Sequence, residues 1–481
     1  MKYLLVALVA FVVLAAFVLV WLGRHGRLPS GRLARLSRLG RLSAGLSASW
    51  LGASVRRLFA SHAGRERIDE ARRKADAQRV AETMGQMKGA FMKLGQMMSF
   101  VSDDIPLEWR TQLAALQVSA PAMAFPVIRD VLERELRQPL ERGFARFDEQ
   151  ALAAASIGQV HAAVLPSGDA VAVKIQYPGV ADAIRADLAN AGMMTRMIAL
   201  LYPALDPRGL VDELRDRLTE ELDYRREADN QQAFGALYAG HPFVRIPRVH
   251  AERSTARVLT TELVVGRRFA EIVGDSQAAR SRWGEILFRF VFGSILRHGA
   301  FNGDPHPGNY LFDDRGRVAF LDFGCVKRFP PDMLRNWKTL IRAHVEGDRP
   351  RWRGLLVELG FIAPACSLDT DLLYDYSAYF YEPFHRDESF TFTPEYNARS
   401  LKIIFAPEGR FAGLAKQLNM PRDFVFVNRI QWGLYSLLAQ LQARANWYRI
   451  MREYLADEPP ATELGVANAA HVAAALRPAA G

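Results

Sequence analysis

The N-terminal part of the chain combines a long apolar run with helical patterns. Residues 3–22 are uncharged and almost wholly apolar, and at ~1.5 Å per residue they would span roughly 30 Å, the thickness of a membrane's hydrocarbon core. We interpret this run as an uncleaved anchor, because a signal peptide has a shorter apolar core. Residues 67–101 carry apolar side chains at steps of three and four, which predicts a helix, and residues 107–140 continue that pattern.

The middle of the chain changes to the pattern of a small sheet. Residues 144–173 contain short apolar runs split by turns, which predicts antiparallel strands, and residues 257–265 read as another strand. Residues 180–238 are helical by composition and highly charged. Helices dominate after Arg280 and include one predicted over 431–454. The pattern therefore predicts an α+β fold.

Composition and charge narrow the classes of function. Of the 481 residues, 50% are hydrophobic and 24% are charged, which suits a globular protein with a sizeable core. The two cysteines, Cys325 and Cys366, exclude a disulfide framework and a structural zinc site. Most of the net charge of +10 belongs to the linker from Gly23 to Arg65, which has nine arginines and no acidic residue. Because the rest of the chain is nearly neutral, we expect no nucleic-acid partner.

The position of these arginines also predicts a location. Lys2 alone precedes the apolar run and the arginines follow it, so the positive-inside rule places the bulk of the chain in the cytoplasm. We therefore expect a single-pass protein of the cell inner (cytoplasmic) membrane with a cytoplasmic catalytic domain. The basic linker either lies against anionic lipid headgroups or is a solvated tether.

The stretch that carries most chemical information is Asn302–Gly324, NGDPHPGNYLFDDRGRVAFLDFG. A loop followed by a short hairpin would bring Asp304, Asn309 and Asp322 to one end. Kinase-like phosphoryl transfer needs these groups, namely a carboxylate near the acceptor hydroxyl and an Asn with an Asp that hold Mg²⁺ on the phosphates. Such residues also occur in ordinary turns, but their order and spacing here favour a metal-nucleotide site. We predict that Asp304 is catalytic and that Asn309 and Asp322 are Mg²⁺ ligands.

Two further stretches have the form of kinase nucleotide-binding elements. A kinase phosphate loop, GxGxxGxV, is followed by a strand VAIK, and here AAASIGQVH occupies Ala153–His161 and VAVK occupies Val171–Lys174. The first two glycines of the loop are replaced by alanines, whose Cβ atoms restrict positive φ. Lys174 would contact the α and β phosphates and needs a carboxylate from a helix to position it. The candidates are Glu220, Glu221, Asp223 and Glu227.

These motifs together resemble those of the UbiB/AarF atypical kinase-like family, over residues 82–454. The most specific mark of that family is a KxGQ motif, here Lys93-Leu94-Gly95-Gln96. The resemblance implies that Lys93 pairs with an ExD motif, here Glu221 and Asp223, and that Glu227 is the glutamate that pairs with Lys174. The residues implied to act in catalysis are Asp304, Lys93, Gln96, Glu221 and Asp223. The residues implied to bind the nucleotide are Leu152, Ala153, Ala154, Ala155, Ser156, Ile157, Gly158, Gln159, Val160, Lys174, Glu227, Glu262 and Val264.

The resemblance implies a protein-kinase-like two-lobed fold with a helical N-terminal extension and one N-terminal transmembrane helix. It also implies that the protein binds ATP and Mg²⁺ and either hydrolyses ATP slowly or phosphorylates a small or lipid-like acceptor. The expected partners are a membrane lipid or an isoprenoid-quinone precursor, together with enzymes of quinone synthesis, in support of ubiquinone production. Two alternatives remain. One is a small-molecule kinase of the aminoglycoside-phosphotransferase type, which also uses a GDxHxxN loop, and the other is a nucleotide-gated scaffold without turnover.

These predictions together divide the chain into six segments. The predicted segments are a transmembrane anchor (1–23), a basic linker (24–75), a helical KxGQ extension (76–140), a kinase-like N lobe with a helical insertion (141–265), a helical C lobe (266–455) and an Ala-rich tail (456–481).

Overall fold

A computed structural model describes most of the chain from residue 123 onward. The described ranges are 123–155, 157–189, 218–302, 306–405, 409–414, 417–419 and 421–475, with Arg215 and isolated positions between 49 and 75. The apolar run 3–22, the KxGQ motif, Ser156 and Asp304 lie outside the described residues.

The chain divides into two compact units. The first comprises 1–122, 154–157 and 177–218, and its longest described element is the helix Val180–Ala189. The second comprises 123–153, 158–176 and 219–481 and holds nearly all of the described sheets and helices. The bounds of the first elements in chain order are α1 Phe125–Leu136, α2 Leu140–Gly143, β1 Arg146–Ala154, β2 Gly158–Val164, β3 Ala170–Gln176, α3 Val180–Ala189 and α4 Tyr224–Leu237.

The strands predicted over 144–173 and 257–265 form a four-stranded sheet. Its order is β1-β2-β3-β5, where β5 is Val258–Glu262, and β3 pairs antiparallel with both β2 and β5. Side chains alternate along β3, so Val171, Val173 and Ile175 are fully buried on one face. Lys174 therefore projects from the opposite face. Helix α1 contacts β3 and buries Ile128 and Leu132.

A second four-stranded sheet carries the hairpin predicted within Asn302–Gly324. Its order is β4-β9-β8-β6, and β8 pairs antiparallel with β9 so that Tyr310 faces Phe320. The turn closes because the Asp313 carboxylate accepts hydrogen bonds from the backbone N–H groups of Arg315 and Arg317, at 3.0 and 2.9 Å. The strands are β4 Val244–Arg245, β6 Arg267–Arg268, β8 Tyr310–Phe312 and β9 Val318–Phe320. Beside this sheet, β7 Ala300–Asn302 pairs antiparallel with β10 Val326–Arg328.

Helices form the rest of the second unit around α6, Gln277–His298. The Ser276 hydroxyl caps its N-terminus, and Gly299 ends it with a φ of 66° that favours glycine. Every residue from Trp283 to Leu296 is buried, so this helix is the centre of the core rather than an amphipathic surface helix. The other helices are α5 Phe269–Ile272, α7 Pro331–Val345, α8 Arg349–Glu358, α9 Thr370–Tyr381, α10 Pro394–Phe405, α11 Arg422–Gln440, α12 Trp447–Leu455 and α13 Glu463–Ala475.

One C-terminal prediction differs from the structure, and one segment without a predicted element contains a helix. The helix predicted over 431–454 is interrupted, because Gln442 has a φ of 47° and β12 (Arg444–Ala445) pairs with β11 (Phe390–Thr391) between α11 and α12. The Ala-rich tail contains α13, which is held in place by a hydrogen bond between Asn468 Oδ1 and His241 Nε2 at 3.1 Å. In both places a contact with a distant part of the chain decides the local structure.

No helix within the described ranges is both long enough and apolar enough to cross a membrane.

A buried ionic cluster joins α6 to α12 and to the segment before α13. The Arg289 guanidinium, 2% exposed, donates to both carboxylate oxygens of Glu453 at 2.7 and 3.0 Å. It also donates to Glu285 at 2.6 Å and to the Thr462 hydroxyl at 3.0 Å. These contacts compensate the desolvation of the guanidinium, so that removing one partner leaves an incompletely paired buried charge.

We predict that Glu453→Ala lowers the free energy of unfolding by about 3–5 kcal/mol, as for other broken buried pairs. The matched control is Asp375→Ala, which removes an exposed partner of Arg410 and should cost about 0–1 kcal/mol. Urea denaturation of both variants measures the difference. Equal losses would show that the cluster contributes no more than a surface pair.

Candidate active site

The centre of the site is an ion pair between strand β3 and helix α4. Lys174 Nζ donates to Glu227 Oε1 at 2.7 Å and to Oε2 at 2.9 Å. Glu227 is 4% exposed and Lys174 is 20% exposed at its side chain. Of the four acidic candidates for this role, the structure brings Glu227 to Lys174, because α4 begins at Tyr224 and its first turn faces the strand.

Asp322 lies beside this pair. The backbone N–H of Gly324 donates to Asp322 Oδ1 at 2.9 Å and so fixes the carboxylate within the Asp-Phe-Gly turn. A Cβ placed on Gly324 would lie 3.4 Å from Asp322 Oδ1 and 3.5 Å from Glu227 Oε2. The two carboxylates therefore border the same small space, and a side chain at position 324 would fill it.

The charges at this site shift the pKa values of Lys174 and Glu227. Burial by itself lowers the pKa of Lys174, but the charges of Glu227 and Asp322 raise the pKa more, and the net pKa lies above the ordinary value. Burial raises the pKa of Glu227 to about 7, because Lys174 offsets only part of the desolvation and Asp322 adds repulsion. With Lys174 charged, two ionised carboxylates would leave one negative charge in excess at this site.

Asn309 reaches the same region from the loop before β8. Its carbonyl accepts a hydrogen bond from the N–H of Leu321 at 3.0 Å, which ties the loop to the residue before Asp322. Asn309 and Asp322 also line one small cavity with the rings of Phe290, Phe301 and Phe320. An amide oxygen and a carboxylate in this position are hard oxygen donors of the kind that Mg²⁺ prefers.

Helix α4 is connected to the Asp-Phe-Gly turn by residues that the sequence did not single out. Asn230 Nδ2 donates to the carbonyl of Phe323 at 3.1 Å, and its Oδ1 accepts from Arg328 at 3.4 Å. One turn further, the rings of Phe234 and Phe323 lie 5.0 Å apart. Asn230 is three residues after Glu227 and therefore shares its helix face. This spacing is visible in the sequence and could have identified Asn230.

The stretch resembling a phosphate loop is mostly strand. Leu152, Ala153 and Ala154 belong to β1, while Gly158, Gln159 and Val160 belong to β2. The connecting residues are Ala155, Ser156 and Ile157, of which Ser156 lies outside the described residues. Gly158 is required by its surroundings, because a Cβ there would lie 2.2 Å from the carbonyl oxygen of Ile175.

The strand after this loop is held by a buried polar network. Gln159 Oε1 accepts from the N–H of Met123 at 2.8 Å, and Gln159 Nε2 lies 2.8 Å from His161 Nε2. His161 Nδ1 lies 2.8 Å from the carbonyl of Asp148, so Nδ1 carries the proton and Nε2 accepts from the Gln159 amide. Burial lowers the pKa of His161, which favours this neutral form. The network connects Met123, within the predicted KxGQ extension, to β2.

The remaining predicted site residues differ in their surroundings and contacts. The Glu262 carboxylate binds Arg245 and the N–H of Arg248, so Glu262 would meet a nucleotide only through its backbone. Val264 is buried just beyond β5. Asp223 caps α4 by accepting from the N–H of Arg225 at 3.0 Å, and Glu221 precedes it. Because Lys93 and Gln96 lie outside the described residues, the pairing of Lys93 with Glu221 or Asp223 stays a prediction.

We predict that Glu227 makes the stability of the unliganded protein depend on pH. A carboxyl whose folded-state pKa is about 7 rather than the ordinary 4.5 contributes stability that is fully present below about pH 4.5 and is lost as the pH rises through about 7. The wild-type protein should therefore lose up to about 3 kcal/mol of unfolding free energy over this interval, relative to Glu227→Gln.

Urea denaturation at closely spaced pH values measures this difference, with Glu149→Gln, an exposed carboxyl on β1, as the baseline. A wild-type advantage over Glu227→Gln that stays constant from pH 4.5 to 8 would contradict the prediction.

Comparisons with known proteins agree with this geometry. Residues 115–355 match the ABC1 atypical kinase-like domain. The chain is 34% identical over 331 residues to the atypical kinase COQ8B, mitochondrial, of Rattus norvegicus, covering 68% of this chain and 63% of that protein. It is 30% identical over 343 residues to the atypical kinase COQ8, mitochondrial, of Saccharomyces cerevisiae, covering 70% of this chain and 68% of that protein.

Plant and bacterial proteins show the same similarity. The chain is 33% identical over 310 residues to ACTIVITY OF BC1 COMPLEX KINASE 8, chloroplastic, of Arabidopsis thaliana, covering 62% of this chain and 40% of that protein. The chain thus spans 40% to 68% of the lengths of these three relatives. Among solved structures, the Rv3197–erythromycin complex from Mycobacterium tuberculosis is 30% identical, with a TM-score of 0.60, covering 77% of this chain and 93% of that one.

These findings correct the predicted location. The three curated relatives are named as mitochondrial or chloroplastic proteins, which contradicts a location in the cell inner membrane. The prediction of a single-pass protein of the cell inner membrane with a cytoplasmic catalytic domain is therefore wrong.

The predicted family is confirmed. The ion pair between β3 and α4, the Asp-Phe-Gly turn beside it and the domain match over 115–355 agree with one another, and the chain belongs to the ABC1 family of atypical kinase-like proteins, which includes the COQ8, UbiB and AarF proteins.

Proposed function

We propose that this protein binds MgATP and either hydrolyses it slowly or transfers its terminal phosphoryl group to a small or lipid-like acceptor. The observation that carries the proposal is the buried contact of Lys174 with both oxygens of Glu227, with Asp322 bordering the same space. A Lys held by a helix carboxylate next to an Asp-Phe-Gly aspartate is the arrangement that kinases use to hold nucleotide phosphates and their metal ion.

The excess negative charge supports the metal assignment. Lys174 balances one carboxylate, and a divalent cation at Asp322 would balance the other while compensating phosphate charge. Asp322 and Asn309 are the residues that would hold Mg²⁺, since both offer oxygen donors and line one cavity. Lys174 would bind the α and β phosphates, and the backbone of Glu262 and Val264 would meet the base.

The acceptor is proposed from family membership. Proteins of this family are associated with ubiquinone synthesis, so we propose an isoprenoid lipid or quinone precursor as the acceptor or effector, with quinone-synthesis enzymes as partners. A nucleotide-gated scaffold differs from this proposal in one measurable respect, because it would bind nucleotide without releasing phosphate. Phosphate release by the purified chain, with and without added isoprenoid lipid, separates the two.

We predict that Asp322→Asn weakens Mg²⁺-dependent ATP binding by about tenfold or more, because it removes a charged ligand from a hard-cation site. Binding measured in EDTA should change little. The control Asp375→Asn removes an exposed carboxylate that pairs with Arg410 and should leave both affinities unchanged. Isothermal titration with and without Mg²⁺ measures these affinities, and equal Mg²⁺ dependence in wild type and Asp322→Asn would remove Asp322 from the metal site.

We also predict that Asp304→Asn spares ATP binding and lowers turnover by about 10², as expected for loss of a general base. Steady-state phosphate release and a parallel nucleotide titration give the two numbers. Unchanged turnover in a variant that binds ATP normally would exclude Asp304 from the reaction.

A further inference from the structure

The Tyr224 hydroxyl is a buried polar group whose role the described fold leaves unexplained. Tyr224 is 2% exposed and is the first residue of α4, three residues before Glu227. Its hydroxyl is buried, and no described residue forms a hydrogen bond with it. Burying a hydroxyl without a partner costs free energy, so the group needs a compensating use.

The ring and backbone of Tyr224 make contacts that do not involve its hydroxyl. Lys174 Nζ lies 4.9 Å from the ring centroid, so the aromatic face makes a cation–π contact with the ammonium. The backbone N–H of Tyr224 donates to the carbonyl of Ala256 at 3.0 Å, which fixes the start of the helix. Phenylalanine would provide both contacts, and neither explains the oxygen atom.

The hydroxyl points toward the end of the phosphate-loop hairpin. A Cβ placed on Gly158 would lie 3.0 Å from the Tyr224 oxygen, so the hydroxyl lies against the backbone at the first residue of β2. The hydroxyl is thus close to the first residue of β2, and the ring of Tyr224 is beside the Lys174 ammonium. Burial raises the pKa of Tyr224 above its usual range, so that the group keeps its proton at neutral pH and is a hydrogen-bond donor.

We infer that the Tyr224 hydroxyl is a nucleotide-binding group that donates a hydrogen bond to the polyphosphate of the nucleotide bound beside Lys174. The inference rests on the proposed function, which places the α and β phosphates at Lys174. A phosphate oxygen is the charged acceptor that a buried phenol lacks in the unliganded protein, and charge-assisted bonds of this kind are the stronger ones.

The test uses the full-length chain and Tyr224→Phe, which keeps the ring and removes one oxygen. We expect the affinities for ATP and ADP to fall about tenfold or more, and the affinity for adenosine to stay unchanged. We also expect the melting temperature of the unliganded variant to rise by about 1–4 °C, because an uncompensated buried hydroxyl has been removed. If Tyr224 had only a structural role, the Tyr224→Phe substitution would not weaken nucleotide binding while raising the melting temperature.

The matched control is Tyr238→Phe, at the other end of the same helix. The Tyr238 hydroxyl is buried but lies 2.6 Å from the Ser294 hydroxyl, so this variant should lose stability and keep its nucleotide affinities. Unchanged ATP affinity in Tyr224→Phe, an equal loss for adenosine, or a lower melting temperature without ligand would each overturn the inference. If the wild-type chain binds no nucleotide, the proposed function fails and the phosphate contact fails with it.

Discussion

The site depends on one buried ion pair, in which Lys174 on β3 is bound by both carboxylate oxygens of Glu227 on α4. The pair joins two elements that are distant in sequence, and it can form only when helix and sheet are docked. Its attraction offsets only part of the desolvation of Glu227, and the bidentate geometry reduces the cost that remains. Any movement of α4 away from the sheet would leave two buried charges unpaired.

The position of α4 is therefore fixed at several points along its length. Its first residue bonds the carbonyl of Ala256, Gln231 bonds the carbonyl of Pro247 at 2.7 Å, and Asn230 bonds the carbonyl of Phe323. The last contact also connects the helix to the Asp-Phe-Gly turn, so that the ion pair and Asp322 are positioned by the same element. A shift of either one would be transmitted to the other through Asn230.

This coupling has an electrostatic consequence. Glu227 and Asp322 border one space with a single ammonium, and the raised pKa of Glu227 reflects the burial and the repulsion that result. Either a proton or a cation would therefore compensate the excess negative charge of the unliganded site. Occupancy by a metal-nucleotide complex and the protonation of Glu227 are expected to compete, because both answer the same excess of negative charge.

The local sequence pattern was sufficient to predict some secondary-structure elements. Short apolar runs and the VAVK motif predicted β3, which carries Lys174, and the order of residues in Asn302–Gly324 predicted the hairpin of β8 and β9. Local signals are reliable here because both features depend on neighbouring residues. The motifs, rather than the pattern, indicated the kinase-like family, since their order along the chain is specific.

The sequence by itself thus determined the family, the strand that carries Lys174 and the hairpin before Asp322. Residue spacing left four acidic candidates for the partner of Lys174, and the tertiary structure, in which α4 docks on the sheet, brings Glu227 to Lys174 as the family resemblance implied. It also decided that the helix predicted over 431–454 is broken, where β12 pairs with β11. In each case the deciding contact joins residues far apart in the chain, and such contacts leave no periodic trace in the residues that make them.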